Sequence, residues 1–445
     1  MRTLNEWLQN IEQENRKVLC FGTGIMAEEA LQYDIIREAV VCMVDNDGKK
    51  QNGRVKLAGA FYPVIAPERL PEYLTGNEII LLTSGHYKSM RKQLEEMKLP
   101  LGVELVDFPE VRVAYTADSE DFFEERLLKE CIREYGIVLE QYDISGEERA
   151  CRMREKEAYI RGKGKDERPF VVPRIMIMPT TRCNMRCKGC SSLLPLFEKP
   201  CDVKIEQILQ DFKLFFSGVD ECIRITVGGE PFLYPNLKEI LEYLLEQKKL
   251  LGIMLITNGT IVPKPEVIEL LKNPKILVEV SDYGHLDKMS RLIQVLEESD
   301  VVFKVLTNQV WTDMGGVQER CRTPEEIRFT YLNCEQSKVI KGFHNGWFYT
   351  CARSARMTAL GAYKSEYDRF ELREEDTSEE IRRKLKSMFY SERADACNYC
   401  DLGVLPARMI EAGIQMQGNT KKSRYTIVDR KEYEELKRFS RYRGQ

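Results

Sequence analysis

Two spacings of apolar residues alternate along this chain. Short runs in which nearly every residue is apolar occur at Lys17–Phe21, Ala39–Val44, Glu78–Ser84 and Val103–Asp107, and each reads as a buried strand. From Arg174 the pattern becomes regular. Strand-like runs at Ile175–Met178, Ile223–Val227, Ile253–Thr257, Ile276–Val280 and Val302–Leu306 are separated by amphipathic segments such as Lys204–Phe216, Leu237–Lys248 and Leu286–Glu298. Strands alternating with helices predict parallel pairing with helical crossovers, an α/β chain. Five or six such units are too few to close an eight-fold barrel, so an open partial barrel is expected, with its chemistry at the C-terminal strand ends. Between the two regions, Asp121–Tyr135 has apolar residues at helical spacing (Phe122, Phe123, Leu127, Leu128), and Arg161–Pro169 is charged and glycine-rich, as a linker would be. The expected organisation is a front unit over residues 1–110, a helical connector over 111–168, the partial barrel over 169–320 and a cysteine-bearing unit with its tail over 321–445.

The front unit carries a glycine turn. Lys17–Phe21 runs into Gly22-Thr-Gly24-Ile-Met-Ala27, and the second strand ends at Asp45, 21 residues after Gly24. That layout is the dinucleotide fingerprint of a Rossmann-like fold: glycines admit the backbone to a pyrophosphate, a helix N-terminus faces phosphate, and the acid meets a ribose hydroxyl. Gly22, Gly24 and Asp45 are therefore the candidate nucleotide contacts. The alternatives are another nucleotide or a nucleotide-sugar in place of NAD, or a scaffold that holds no ligand.

Cysteine spacing changes the picture most. Cys183, Cys187 and Cys190 stand in a C-x3-C-x2-C loop just after the strand at 175–178. Three thiolates on one loop can hold a four-iron cluster and leave one iron open for small-molecule chemistry. A closed zinc site would want four ligands, usually in two pairs, and Cys201 completes no pair. The chain has 445 residues, 67 basic against 71 acidic, and three histidines; it offers no field for a generic nucleic-acid partner and little for a histidine-rich metal site. Fourteen cysteines without an apolar export core at Met1–Leu8, and no run long enough to span a membrane, point to a reducing cytoplasm.

The loop resembles that of the radical S-adenosylmethionine (radical SAM) superfamily. Two later strand ends agree: Ile223–Leu233 holds Gly228-Gly229-Glu230, and Leu255–Thr260 holds Thr257-Asn258. The resemblance covers about residues 170 to 405. It departs at Gly189, where the family often has an aromatic residue near adenine. The resemblance implies that Gly228, Gly229 and Glu230 meet the methionine amino group. It also implies that Ser281 and Asp282 approach the ribose, although Asp282 could equally cap a helix, and that Thr257 and Asn258 contact the ligand or shape the turn. Cys334, Cys351, Cys397 and Cys400 look like the Twitch domain, the short relative of SPASM, which implies an auxiliary [4Fe-4S] cluster; zinc would suit four thiolates on chemistry alone.

The implied activity is reductive cleavage of S-adenosylmethionine to a 5′-deoxyadenosyl radical, fed by a flavodoxin- or ferredoxin-type donor. Hydrogen abstraction from a carbohydrate or nucleotide-sugar in a surface-polysaccharide pathway would then give oxidation or epimerisation. Cys321 is a candidate hydrogen-atom donor, its alternative being a small buried hydrophobe. Arg320 and Arg322 are either substrate-side groups or solvated charges. Two rival readings stand beside this one: a peptide-modifying maturase, and a non-catalytic iron–sulfur regulatory protein.

Overall fold

The computed structural model describes residues 4–115, 120–164, 167–284, 286–307, 310–416, 427–428 and 441–442. The chain divides into two compact units, Met1–Ser119 with Val404–Pro406, and Glu120–Gly403 with Ala407–Gln445. Among the described residues no helix is long and apolar enough to cross a membrane.

The first unit is a six-stranded sheet built from β1 (Lys17–Phe21), β2 (Val40–Val44), β3 (Arg54–Leu57), β4 (Ala60–Ile65), β5 (Glu78–Leu82) and β6 (Glu104–Asp107). The order is β3-β4-β2-β1-β5-β6, all parallel except for β3, which pairs antiparallel with β4 at the edge. All five β5 residues are buried, as near-continuous apolar runs require when helices cover both faces of a sheet. Chain order reverses direction at β1, with β2 on one side and β5 on the other, so the glycine turn after Phe21 lies at the switch point where doubly wound sheets place ligands.

The second unit is built on a nine-stranded sheet. Its parallel strands are β7 (Val171–Ile177), β8 (Glu221–Val227), β9 (Leu250–Thr257), β10 (Ile276–Ser281) and β11 (Phe303–Leu306). A short β12 (Val310–Thr312) leaves this sheet. β13 (Ile340–His344) then returns parallel to β7, followed by antiparallel β14 (Trp347–Tyr349) and β15 (Arg369–Glu371). Six parallel strands thus run β13-β7-β8-β9-β10-β11, the open α/β arrangement that the alternation predicts. Helices Ile205–Gly218, Leu237–Glu246, Pro265–Leu271 and Leu286–Glu298 cover one face through Ile208, Phe212, Phe215, Leu241, Leu271 and Leu292.

Two expected divisions look different in three dimensions. The connector is helical at Glu120–Leu139 and Gly146–Arg161, but Leu128, Cys131, Val138 and Ile160 lie in the main core. Glu134 of the first of these helices forms a buried ion pair with Arg224 of β8. The sheet also runs across residue 320, because β13 hydrogen-bonds to β7. Helix Ser378–Phe389 buries Ile381, Leu385 and Phe389 in the same core, with Ile381 so close that a Cβ on Gly218 would stand 2.6 Å from it. Cutting Phe389 to alanine would cost about 3–5 kcal/mol, a large fraction of a domain's whole stability. The cysteine-bearing region therefore shares the barrel's core.

Candidate cluster and cofactor site

Parallel strands leave their C-terminal ends along one edge of the sheet, and the first cysteine loop, the Gly228–Glu230 turn, Thr257–Asn258 and Ser281–Asp282 each leave from such an end. β7 delivers the cysteine loop, whose base is closed by hydrogen bonds from Thr181 N–H to the Cys201 carbonyl (2.9 Å) and from Cys201 N–H to Thr181 Oγ1 (2.7 Å). Cys201 thus ties the loop rather than joining the thiol group. Within the loop Cys183, Cys187 and Cys190 lie within electrostatic reach of one another. Burial raises all three thiols, Cys187 to about 11. A desolvated thiol resists ionising unless a cation binds it, so these positions suit metal-bound sulfur better than free nucleophiles.

Sulfur-directed donors are already in place. Met185 N–H (3.4 Å) and Asn258 Nδ2 (3.7 Å) reach Cys183 Sγ, and Gln415 Nε2 reaches Cys187 Sγ at 3.1 Å. Hydrogen bonds of this kind to thiolates are among the levers that hold and tune iron–sulfur centres. The chemistry of the donor set, three thiols with N–H donors aimed at two of the sulfurs, suits a cluster.

β8 ends in Gly228 and Gly229. A Cβ at Gly228 would stand 2.7 Å from Met176 Cε, and Gly229 has φ +83. Glycine is needed at both, by space at one and by backbone conformation at the other. Glu230 is fully buried; its carboxylate accepts from Thr257 Oγ1 (2.9 Å) and Asn258 N–H (3.0 Å). Burial dominates and raises Glu230 to about 7, with the hydrogen bonds opposing. Asn258 is the joint of the site: its backbone binds Glu230 while its amide reaches Cys183 and donates to Asn184 Oδ1 at 2.9 Å.

Ser281 is buried at the end of β10 and hydrogen-bonds Tyr283, whose hydroxyl lies within electrostatic reach of Cys187 and Cys190. The Asp282 side chain closes its own turn, Oδ1 accepting from Gly284 N–H at 2.8 Å. Trp311 on β12 meets Tyr283 edge to face, with centroids 5.5 Å apart.

The second cysteine group assembles from three separate elements. Cys334 and Cys351 begin helices Glu335–Val339 and Ala352–Ala359, their sulfurs accepting from Ser337 N–H (3.4 Å) and Ser354 N–H (3.3 Å). Cys397 and Cys400 come from the turn around Asp395–Tyr399, and each of these thiols lies within electrostatic reach of the others in the set. Burial pushes Cys334 up to about 12 and raises Cys397 and Cys400 as well. Arg320 and Arg322 both pair with Asp401, and Arg322 Nη1 also donates to the Cys400 carbonyl at 2.7 Å. These arginines are not freely solvated charges: they clamp the C-x2-C turn. Cys321 between them is exposed, with φ +51, so it is not the small buried hydrophobe of the alternative reading.

Sequence reasoning missed two residues of this unit. Arg353 donates to the Gly315 carbonyl (2.7 Å) and to the Ser191 carbonyl (3.4 Å), and its charge opposes the rise of both Cys190 and Cys400. One buried guanidinium thus faces both thiol groups. Its only sequence signal is its place two residues after Cys351. Gln415 lies 225 residues beyond Cys190 and carries no motif.

The glycine turn of the first unit is closed by its own chain. Gly22 has φ +110, and a Cβ there would stand 2.8 Å from the Thr83 carbonyl, so this glycine serves β1–β5 packing. Asp45 accepts from the Thr23 hydroxyl, from Lys50 Nζ (3.3 Å) and from Asp47 N–H (2.9 Å), which leaves a ribose hydroxyl to displace one of them. The helix at Gly24 spans only Ile25–Ala30.

The family described as Radical SAM superfamily matches residues 177–281. The biosynthesis protein AlbA for the antilisterial bacteriocin subtilosin, from Bacillus subtilis, is 42% identical over 105 residues, 23% of this chain and 22% of AlbA. A GTP 3′,8-cyclase of Helicobacter pylori is 32% identical over 96 residues, 21% of this chain and 30% of the cyclase. Among solved structures, BtrN in complex with AdoMet and 2-DOIA aligns over 52% of this chain and 93% of BtrN, at 15% identity and TM-score 0.34. The chain spans less than a third of the length of these two curated relatives. Across residues 177–281, which include the three loop cysteines, Gly228, Gly229, Glu230, Asn258 and Ser281, this chain is similar to the radical SAM superfamily.

Proposed function

We propose that this chain binds a four-iron cluster at Cys183, Cys187 and Cys190, binds S-adenosylmethionine beside it, and abstracts hydrogen from a carbon centre of its substrate. The observation that carries this reading is the Asn258 joint, which ties the cysteine loop from β7 to Glu230 from β8. When bound, the cluster supplies the electron that cleaves the sulfonium bond to give a 5′-deoxyadenosyl radical. The protein's part is placement. Gly228 and Gly229 keep side chains out of the ligand's path. Glu230, poised near neutrality, accepts the methionine ammonium and is held ionised by it. Ser281 would approach the ribose, Asp282 keeps its turn closed unless the ligand displaces the Gly284 amide, and Thr257 fixes the Glu230 carboxylate.

Cys334, Cys351, Cys397 and Cys400 would hold the auxiliary cluster, with Arg353 facing both sets. That arrangement suits passage of one electron from a substrate radical to the second centre, an oxidation.

For the substrate, the relatives favour a peptide over a carbohydrate, since the 42% identity is to a bacteriocin biosynthesis protein and the other relative acts in GTP cyclisation. Sugar epimerisation therefore does not lead the reading. Anaerobic reconstitution followed by dithionite and S-adenosylmethionine tests the activity: 5′-deoxyadenosine and methionine should form, and the Cys183→Ala protein should form neither. A regulatory iron–sulfur protein would form none in either case. Incubation with candidate peptides and with nucleotide-sugars, read by mass spectrometry for loss of two hydrogens, separates the substrate classes.

A further inference from the structure

The cysteine loop is covered by a segment far away in sequence. β16 (Met409–Glu411) pairs antiparallel with β12, and the chain then passes back over the loop. Lys188 N–H donates to the Ile414 carbonyl (2.7 Å), and Met416 N–H donates to the Arg186 carbonyl (2.8 Å), a short antiparallel bridge across Cys187 and Gln415. Two glycines make the fit. A Cβ on Gly189 would stand 2.2 Å from Ile410 Cδ1, and one on Gly413 would stand 2.5 Å from the Tyr283 ring. Both have positive φ, +72 and +74, so substitution would be strained as well as crowded.

Among the described residues of this strap, Gln415 is the side chain that bonds a loop sulfur, and its orientation is fixed by chemistry. The Arg186 backbone N–H, which can only donate, points at one end of the amide at 2.8 Å, so that end is oxygen. The other end is therefore NH2, and it donates to Cys187 Sγ at 3.1 Å and to the Gly413 carbonyl at 2.7 Å. A neutral donor placed on a cluster thiolate stabilises the more negative, reduced state of the cluster.

We propose that Gln415 is a positioning residue of the cluster site: the 409–416 strap carries its amide to Cys187, and that N–H···S bond raises the cluster's reduction potential. This rests on the cluster assigned above to Cys183, Cys187 and Cys190. Gln415→Glu keeps the shape and the acceptor for Arg186 but removes the donor; Gln415→Met removes donor and acceptor while staying neutral. The readout is iron content, together with the potential of the electron paramagnetic resonance (EPR) signal that responds to S-adenosylmethionine, in the full chain. Both variants should retain the parent's iron and shift that potential to more negative values. An unchanged potential in either variant overturns the proposal. So does loss of the iron, which would make Gln415 a structural prop. A parent protein that assembles no such cluster would instead sink the cluster reading itself.

Discussion

Two glycine turns in this molecule follow the central strands of parallel sheets, and they differ in what their polar groups still need. At Gly22–Gly24 the acid Asp45 is served by Thr23, Lys50 and the Asp47 amide. At Gly228–Gly229 the acid Glu230 is fully buried and raised to about 7, beside three thiols that burial also holds neutral. Both turns match a ligand-binding motif in sequence, yet the second has its acid fully buried and held by neutral donors, where a cationic ligand would complete it. A motif at a strand end marks where a site can be; a buried acid hydrogen-bonded to neutral donors singles out the better candidate of these two.

The largest expected effect breaks the second turn outright. Replacing Cys183, Cys187 and Cys190 together with alanine should lower the reconstituted protein from about eight iron atoms to roughly four, measured by iron analysis. Replacing Cys334, Cys351, Cys397 and Cys400 should likewise leave about four, now with S-adenosylmethionine cleavage retained but substrate oxidation lost. If the triple variant keeps all its iron, the two turns do not differ in the way described.

Next comes a steric contrast. Gly22→Ala should destabilise the first unit by about 1–3 kcal/mol, because of its positive φ and the Thr83 carbonyl, while leaving iron content and cofactor cleavage unchanged. Denaturant unfolding followed unit by unit would check it.

A pH series sharpens the comparison further. Glu230 binds its proton more tightly folded than unfolded, so its contribution to stability is complete below the ordinary carboxylate pKa and is lost as pH rises through about 7. Glu230→Gln should flatten this decline of the cofactor-free protein's melting temperature between about pH 5 and 8. Binding S-adenosylmethionine near pH 6.5 should release a proton from the parent and none from the variant, seen as a buffer-dependent heat.

The smallest expected signal is at the first turn. NAD titrated into the full chain should give no heat, and Asp45→Asn should change stability by about 1 kcal/mol or less. Saturable binding lost in Asp45→Asn would restore the nucleotide reading of that turn.

Much of this was legible in the residues. The strands at 175–178, 223–227, 253–257, 276–280 and 302–306 show as apolar runs because parallel strands are buried on both faces, and the cysteine spacings show because a loop needs only local geometry to present thiols. What stayed hidden depends on distant contacts. β13 docks beside β7 rather than beyond β11, and no period in the sequence states which edge a strand joins. Arg320 and Arg322 looked like free charge until Asp401 was beside them. Gln415 carries no pattern, and its place at Cys187 follows from the strap's path alone.

The central claim is that the loop holding Cys183, Cys187 and Cys190 leaves one iron open to S-adenosylmethionine. EPR of the dithionite-reduced protein, recorded with and without the methionine-15N-labelled cofactor, tests it most directly. The account predicts a changed signal with nitrogen coupling, absent in the Cys183→Ala protein. An identical spectrum with and without the cofactor would contradict it.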